Sequence, residues 1–223
     1  MDVKIEFLQS IPYYSGLSPA ELESIRRFTF ETAAQKGEVV LLEGETSEKL
    51  YFVVSGVMKI FKTSANGKEQ ILQIVRPGES VNEVPIFDGG VNPVSAQAMT
   101  PVVLYSIKRS DLETAFREHP QIARNVIKVL AGRIRRLMAL IEDLSFKPVV
   151  SRVAKILLEQ VADETGPRPR LTQQEMAALA GTAREMVGRS LKTLEESQAI
   201  RLDRHRIIIT NKQVLQETAG VSG

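Results

Sequence analysis

The segment GTAREMVGRSLKTL, residues 181–194, concentrates side chains that could read nucleic-acid bases. Glu185 and Arg189 stand four residues apart and Lys192 follows three later, so on a helix they share one stripe, with Arg184 at its start. An arginine fork matches guanine O6 and N7 in the major groove, and a glutamate accepts from cytosine N4. Thr182, Lys192 and the helix N-terminus suit phosphate oxygens that set register. The same spacing of Glu185 and Arg189 also suits an ion pair on a solvated face, worth ~0.3–0.5 kcal/mol. An acid near phosphates is repelled by them, so a glutamate on a DNA-facing helix is costly unless it reads a base.

Other chemistry is poorly supplied. The chain has no cysteine, which excludes disulfides, thiolate zinc sites and cysteine-held iron–sulfur clusters. Its two histidines, His119 and His205, give a metal site or a Ser-His-Asp hydrolase little to work with. With 29 basic and 27 acidic residues, any nucleic-acid surface must be local. No apolar run reaches the ~18 residues of a membrane span, and the N-terminus lacks a basic segment followed by a long apolar one. The expectation is a cytoplasmic chain with no membrane partner.

The elements that must position these side chains are legible. Thr172-Gln173-Gln174-Glu175 is a capping box that opens one helix, and Gly181 ends it. Thr182-Ala183-Arg184-Glu185 reads as a second capping box, with Ala183, Val187, Leu191 and Leu194 facing the domain core. Met176, Ala180 and Val187 are expected to fill the space between the two helices. A helix over 149–162 and a polar loop, DETGPRPR, precede this pair, and a hairpin of IRLD and RIIIT around Arg204-His205 follows it. The pattern predicts a winged helix-turn-helix over 148–223.

Upstream, a helix is predicted over 119–145, within a segment (119–147) that Lys147-Pro148 terminates. Ile127, Leu130, Ile134, Leu137, Ile141 and Leu144 are separated alternately by three and four residues, with Ile at a and Leu at d. That combination favours a parallel two-stranded seam, hence a homodimer. Val129, Met138 and Leu140 lie beside it and could pack on the chain's own β domain. Residues 1–118 hold short Val/Ile/Phe/Tyr-rich runs punctuated by glycines, with Asn66-Gly67 as a hairpin signal, so they read as a β-sandwich or barrel. Ser18-Pro19-Ala20-Glu21 begins a short helix before them. The fold class is α+β: a β domain, a long dimerisation helix and a C-terminal winged helix-turn-helix.

TQQEMAALAGTAREMVGRSLKTLEESQAI, residues 172–200, resembles the helix-turn-helix of CRP/FNR-family transcription regulators. Its R-E-x-V-G-R core is of the CRP type. KGEVVLLEGETSEKLYFVVSGVMKIFK (36–62) is similar to the family's β-roll, and GESVNEVPIF (78–87) to its phosphate-binding cassette. The resemblance implies that Arg184, Glu185 and Arg189 read a TGTGA-like half-site of double-stranded DNA, with RNA polymerase as a further partner.

The cassette departs from the cyclic-nucleotide pattern. Glu83 matches the ribose-binding glutamate, but Asn82 stands where glycine is usual, and residues 77–107 contain no Lys or Arg. The expected Arg-Ser falls near Asn92-Pro93-Val94, and the polar pair that meets adenine aligns with Leu137 and Met138. A buried phosphate without a fixed cation is very costly, so cAMP is not the expected effector. Asn82, Glu83 and the apolar Val84, Ile86, Val94, Leu137 and Met138 would line a pocket for a small apolar effector or a haem, with His119 as a conceivable ligand. Alternatives remain: a constitutive regulator without effector, a small-molecule enzyme on a β-barrel, or a winged helix that binds protein.

Overall fold

The computed structural model describes residues 3–162, 171–203 and 206–220. They form two compact units, Met1–Lys62 with Leu72–Arg136, and Thr63–Ile71 with Leu137–Gly223. The loop expected at 163–170 and the hairpin tip Arg204-His205 lie outside the described residues.

The first unit opens with helices α1 (Ile5–Ser10) and α2 (Pro19–Arg26). The capping box at Ser18 forms in both directions. Ser18 N–H donates to Glu21 Oε2 at 2.7 Å, and Glu21 N–H donates to Ser18 Oγ at 3.4 Å. The Ser18 N–H bond first, and then the Ser18 hydroxyl donating to the same Oε2 at 2.7 Å, hold the Glu21 carboxyl below its usual range. Ser18→Ala should therefore cost ~1 kcal/mol. The check is a lower urea midpoint with an unchanged slope.

Eight strands follow: β1 (Thr29–Ala34), β2 (Val39–Leu41), β3 (Lys49–Ser55), β4 (Met58–Thr63), β5 (Glu69–Val75), β6 (Ser80–Val81), β7 (Ser95–Ala98) and β8 (Val102–Lys108). They make two four-stranded sheets, ordered β1-β8-β3-β6 and β2-β7-β4-β5. Alternation along β3 and β8 divides the core in two. Val53, Val102 and Leu104 join Met58, Ile60, Val75, Ala96 and Ala98 between the sheets. Leu50, Phe52, Tyr105 and Ile107 point the other way, onto Leu8, Tyr13, Leu22, Ile25 and Ile122. Gly56, between β3 and β4, has φ +83°, and a Cβ there would stand 2.3 Å from the Pro101 carbonyl oxygen. Only glycine fits. The Asn66-Gly67 hairpin forms, with a Ser64–Lys68 loop closed by Ser64 N–H donating to Lys68 O at 2.9 Å.

Helices α3 (Glu83–Asp88) and α4 (Arg109–Glu118), like α1, had no expectation attached. Helix α5 (Pro120–Phe146) follows; its residues up to Arg136 belong to the first unit and those from Leu137 to the second.

The C-terminal unit adds α6 (Val149–Ala162), α7 (Gln173–Ala180), α8 (Arg184–Glu196), the hairpin of β9 (Ile200–Asp203) and β10 (Arg206–Ile209), and α9 (Lys212–Ala219). Val153, Leu157, Met176, Ala177, Ala180, Val187, Leu191, Leu194, Ile200 and Leu215 share one core. The capping box at Thr172 is present as expected, with Glu175 N–H donating to Thr172 Oγ1 at 3.1 Å. The second box is absent. Ala183, not Thr182, precedes α8 and offers no side-chain cap, because Thr182 N–H donates back to Ala177 O and belongs to the end of α7. Ala183 is also exposed instead of facing the core.

At the α5–α6 junction, Arg152 donates to Lys147 O at 2.6 Å, to Ala180 O at 2.8 Å and to Asp143 O at 3.4 Å. The Asp143 carboxylate accepts from Lys147 Nζ at 2.9 Å and from Lys155 Nζ. Burial opposes that charge, but the Lys155 and Lys147 bonds outweigh it and hold the carboxyl below its ordinary range. A depressed carboxylate pKa contributes stability that is full above the unfolded value of ~3.9 and lost as pH falls through the folded value. The pair should therefore persist at neutral pH, and an acid titration of stability should lose the Asp143 contribution only below ~pH 4.

Candidate nucleic-acid interface and effector site

Helix α8 has one buried and one exposed face. Val187, Leu191 and Leu194 are buried, and Ser190 turns its hydroxyl back to the Met186 carbonyl at 2.8 Å. Opposite them, Glu185, Arg189 and Lys192 form an exposed stripe, and Arg184 is exposed at the first position of the helix. Thr182 is half-buried at the preceding turn. Among the described residues Glu185 and Arg189 form no ion pair, so the guanidinium fork and the carboxylate are both available to a ligand. Lys192 approaches Glu196 at 4.0 Å, a solvated contact of negligible strength.

Gly181 explains how closely this helix can be approached from below. Its φ of +61° turns the chain between α7 and α8, and an added Cβ would lie 2.5 Å from Leu144 Cδ2 on α5. The sequence shows the need for a left-handed turn, whereas the close approach of Leu144 is visible only in three dimensions.

Helix α5 presents a stripe of apolar side chains to solvent. Ile127, Ile134, Met138 and Ile141 are 59–66% exposed, and Leu137 is 46% exposed. Leu130, expected on the same seam, instead packs against the core of its own chain, as does Val129. Leu144 lies against Gly181. Of the three d-position leucines, Leu137 and Leu144 remain 46% and 37% exposed, so only Leu130 is drawn onto the core of its own chain, while Met138 adds to the exposed stripe.

The expected effector residues sit in different surroundings. Ile86 is buried in the cluster beneath the N-terminal helices, whereas Val94 is partly buried against the cluster between the sheets. Val84, Leu137 and Met138 are exposed. Asn82 adopts φ +83°, doing glycine's part, and its side-chain amide donates to Lys49 O at 2.9 Å. An asparagine tolerates this conformation better than most residues do.

Glu83 is buried in a polar network built largely from outside the cassette. Its carboxylate accepts from Arg133 Nη1 at 2.7 Å and from the Tyr13 hydroxyl at 3.2 Å. Arg133, on α5, also donates to Ser80 O and, at 3.1 Å, to Ser80 Oγ. Burial, and then the Glu83 charge, push the Tyr13 hydroxyl well above its usual range, so it remains a donor. Arg136 on the next turn reaches Glu79 Oε1 at 3.2 Å. Sequence inspection of residues 77–107 missed Arg133 because its partner lies fifty positions earlier. This cation is already engaged, so as arranged these residues do not fit a cyclic phosphate.

His119 does not fit haem. Its Nε2 lies 3.0 Å from Ser24 Oγ and its Nδ1 3.3 Å from Glu21 Oε1, which leaves neither ring nitrogen for iron. Among the described residues no cluster of metal-ligating side chains occurs, and no helix is long and apolar enough to cross a membrane.

Comparison with known proteins agrees with this architecture. Residues 31–119 match the cyclic nucleotide-binding domain model and residues 151–218 the Crp-like helix-turn-helix domain model. The chain is 31% identical over 212 residues to the cyclic AMP receptor protein of Thermus thermophilus, covering 95% of this chain and 98% of that one. It is 32% identical over 222 residues to a CRP-like cAMP-activated global transcriptional regulator of Mycobacterium tuberculosis, covering 96% and 99%. Among solved structures, FixK2 from Bradyrhizobium japonicum matches with a TM-score of 0.76 at 26% identity, over 87% of this chain and 99% of that one. With both of its domains and nearly its whole length matched to such regulators, the chain is a DNA-binding member of the CRP/FNR family of transcription regulators.

Proposed function

We propose that the protein is a homodimer that binds an inverted repeat of TGTGA-like half-sites and is not controlled by cAMP. The observation that carries the DNA reading is that Arg184, Glu185 and Arg189 are exposed on α8 and in no ion pair among the described residues, and Thr182 and Lys192 are proposed to meet phosphates. The apolar stripe of Ile127, Ile134, Leu137, Met138 and Ile141 supports the dimer, since an exposed row of this kind is what a second copy would cover. Dimers of helix-turn-helix proteins, CAP among them, place their reading helices one DNA turn, ~34 Å, apart. Residues 1–118 would serve as the sensor, 119–147 as the dimerisation helix and 148–223 as the reading domain, with RNA polymerase engaged at the promoter.

Two features support an effector other than cAMP, or none. The cassette lacks its own cation, and the Glu83–Arg133–Ser80–Tyr13 network is complete without a ligand. The second feature favours the constitutive alternative. The test is selection of binding sites from random duplex DNA by the purified full-length protein, with and without added cAMP. An inverted repeat recovered equally in both arms is expected. Random sequence in both arms would overturn the DNA reading, and an absolute requirement for cAMP would overturn the view of the effector. Ile134→Asp should yield a monomer by sedimentation and lose the inverted repeat, since a buried unpaired carboxylate opposes the seam.

A further inference from the structure

The end of α5 is joined to the reading domain by two unlike devices. One is the charge clasp on Asp143. Its side chain is only 11% exposed, and each carboxylate oxygen has its own ammonium partner, Lys147 on one side and Lys155 of α6 on the other. Lys147 also reaches toward Ala219 O, at 3.4 Å, near the end of α9. The other device is steric: Leu144, the next residue, lies against Gly181 in the turn that launches α8. Exposed ion pairs carry little energy, but a shielded carboxylate held between two ammonium groups cannot be neutralised without leaving both cations facing each other uncompensated. The clasp is therefore directional. It ties α5 to α6 on the same turn where Leu144 contacts the helix-turn-helix.

We propose that Asp143 is a positioning residue that fixes how the reading domain leaves α5, and so sets the half-site spacing the protein accepts. Neither Asp143 nor its lysines lie on the exposed face of α8, so their removal leaves the base-reading side chains intact. The inference rests on the reading of the protein as a dimer on an inverted repeat. It adds a separate determinant: half-site sequence is read by α8, and half-site separation is enforced at the α5–α6 junction.

The test uses full-length protein and duplexes with identical half-sites whose central spacer is lengthened or shortened by one and two base pairs. Wild type should favour one spacer by about tenfold over its neighbours. Asp143→Asn, which keeps the shape and removes the charge, should flatten that preference to about threefold or less while leaving half-site sequence preference and dimerisation unchanged. Lys155→Met should do the same, and Asp143→Glu, which keeps the charge, should retain most of the preference. A wild-type spacer profile in both Asp143→Asn and Lys155→Met would overturn the proposal. So would an equal loss on every spacer, which marks a merely structural role. If wild type itself does not distinguish inverted repeats from random DNA, the underlying DNA reading fails instead, and that outcome is separately visible.

Discussion

Arg189→Ala is expected to abolish discrimination at one base pair of each half-site, costing ~1–3 kcal/mol there and little on unrelated DNA. The expectation follows from geometry. Arg189 sits at the middle of the exposed face of α8, in no ion pair among the described residues, with Glu185 one turn before it. A free guanidinium loses no internal partner when it meets guanine, so its bond counts almost fully toward recognition. Lys192→Ala supplies the contrast, because a phosphate contact should weaken all sequences alike and lower the salt slope by ~1. Competition binding against half-sites altered one base pair at a time separates the two behaviours. Unchanged base preference in Arg189→Ala would remove that residue from the reading set and favour a protein-binding role for this helix.

The second large effect is on folding. Arg133→Met should destabilise the protein by ~3–5 kcal/mol, the typical cost of stripping one partner from a buried pair. Glu83 has a side chain only 5% exposed, and without Arg133 it would keep the Tyr13 hydroxyl as a donor but no counter-charge. Adding Glu83→Gln should recover most of the loss, since a neutral amide can still accept from Tyr13 and no longer needs a cation. Glu83→Gln alone should cost less than Arg133→Met, because Arg133 keeps both Ser80 contacts and is more exposed, at 16%. Urea unfolding of the four proteins closes the cycle. A loss below ~1 kcal/mol in Arg133→Met would mean that water already screens the pair.

Local signals in the sequence proved reliable where the chemistry itself was local. The capping boxes at Ser18 and Thr172 form because all four participating groups lie within three residues, and proline at 148 bounds α5 for an equally local reason. Thr182 misled because two motifs compete for it, and the backbone bond closing α7 wins over a side-chain cap on α8. Helix α9 was not expected, although local groups bound it: Asn211 accepts from the Gln213 and Val214 N–H groups at its start and Gly220 ends it. What stayed hidden was whatever depends on faces and distance. Ile86 and Val94 are both apolar, yet the chain carries them into different cores. Heptad spacing marked α5 as doubly apolar without telling which leucines would turn inward, and Leu130 did. No window within the cassette could include Arg133, because that contact is made by the helix folding back over it.

Arg152 has a consequence for how binding measurements should be interpreted. The carbonyl ends of two helices, α5 through Asp143 and α7 through Ala180, converge on its guanidinium. Each helix terminus carries roughly half a negative elementary charge, so the two ends would repel without a cation between them. A planar fork can serve carbonyls in several directions at once, whereas lysine is a compact point charge and a poor substitute. Because the guanidinium is partly buried, added salt screens it far less than it screens the lysines and arginines of α8. Raising ionic strength should therefore leave the geometry of the reading domain intact. The salt dependence of DNA affinity then becomes a clean count of the phosphates neutralised.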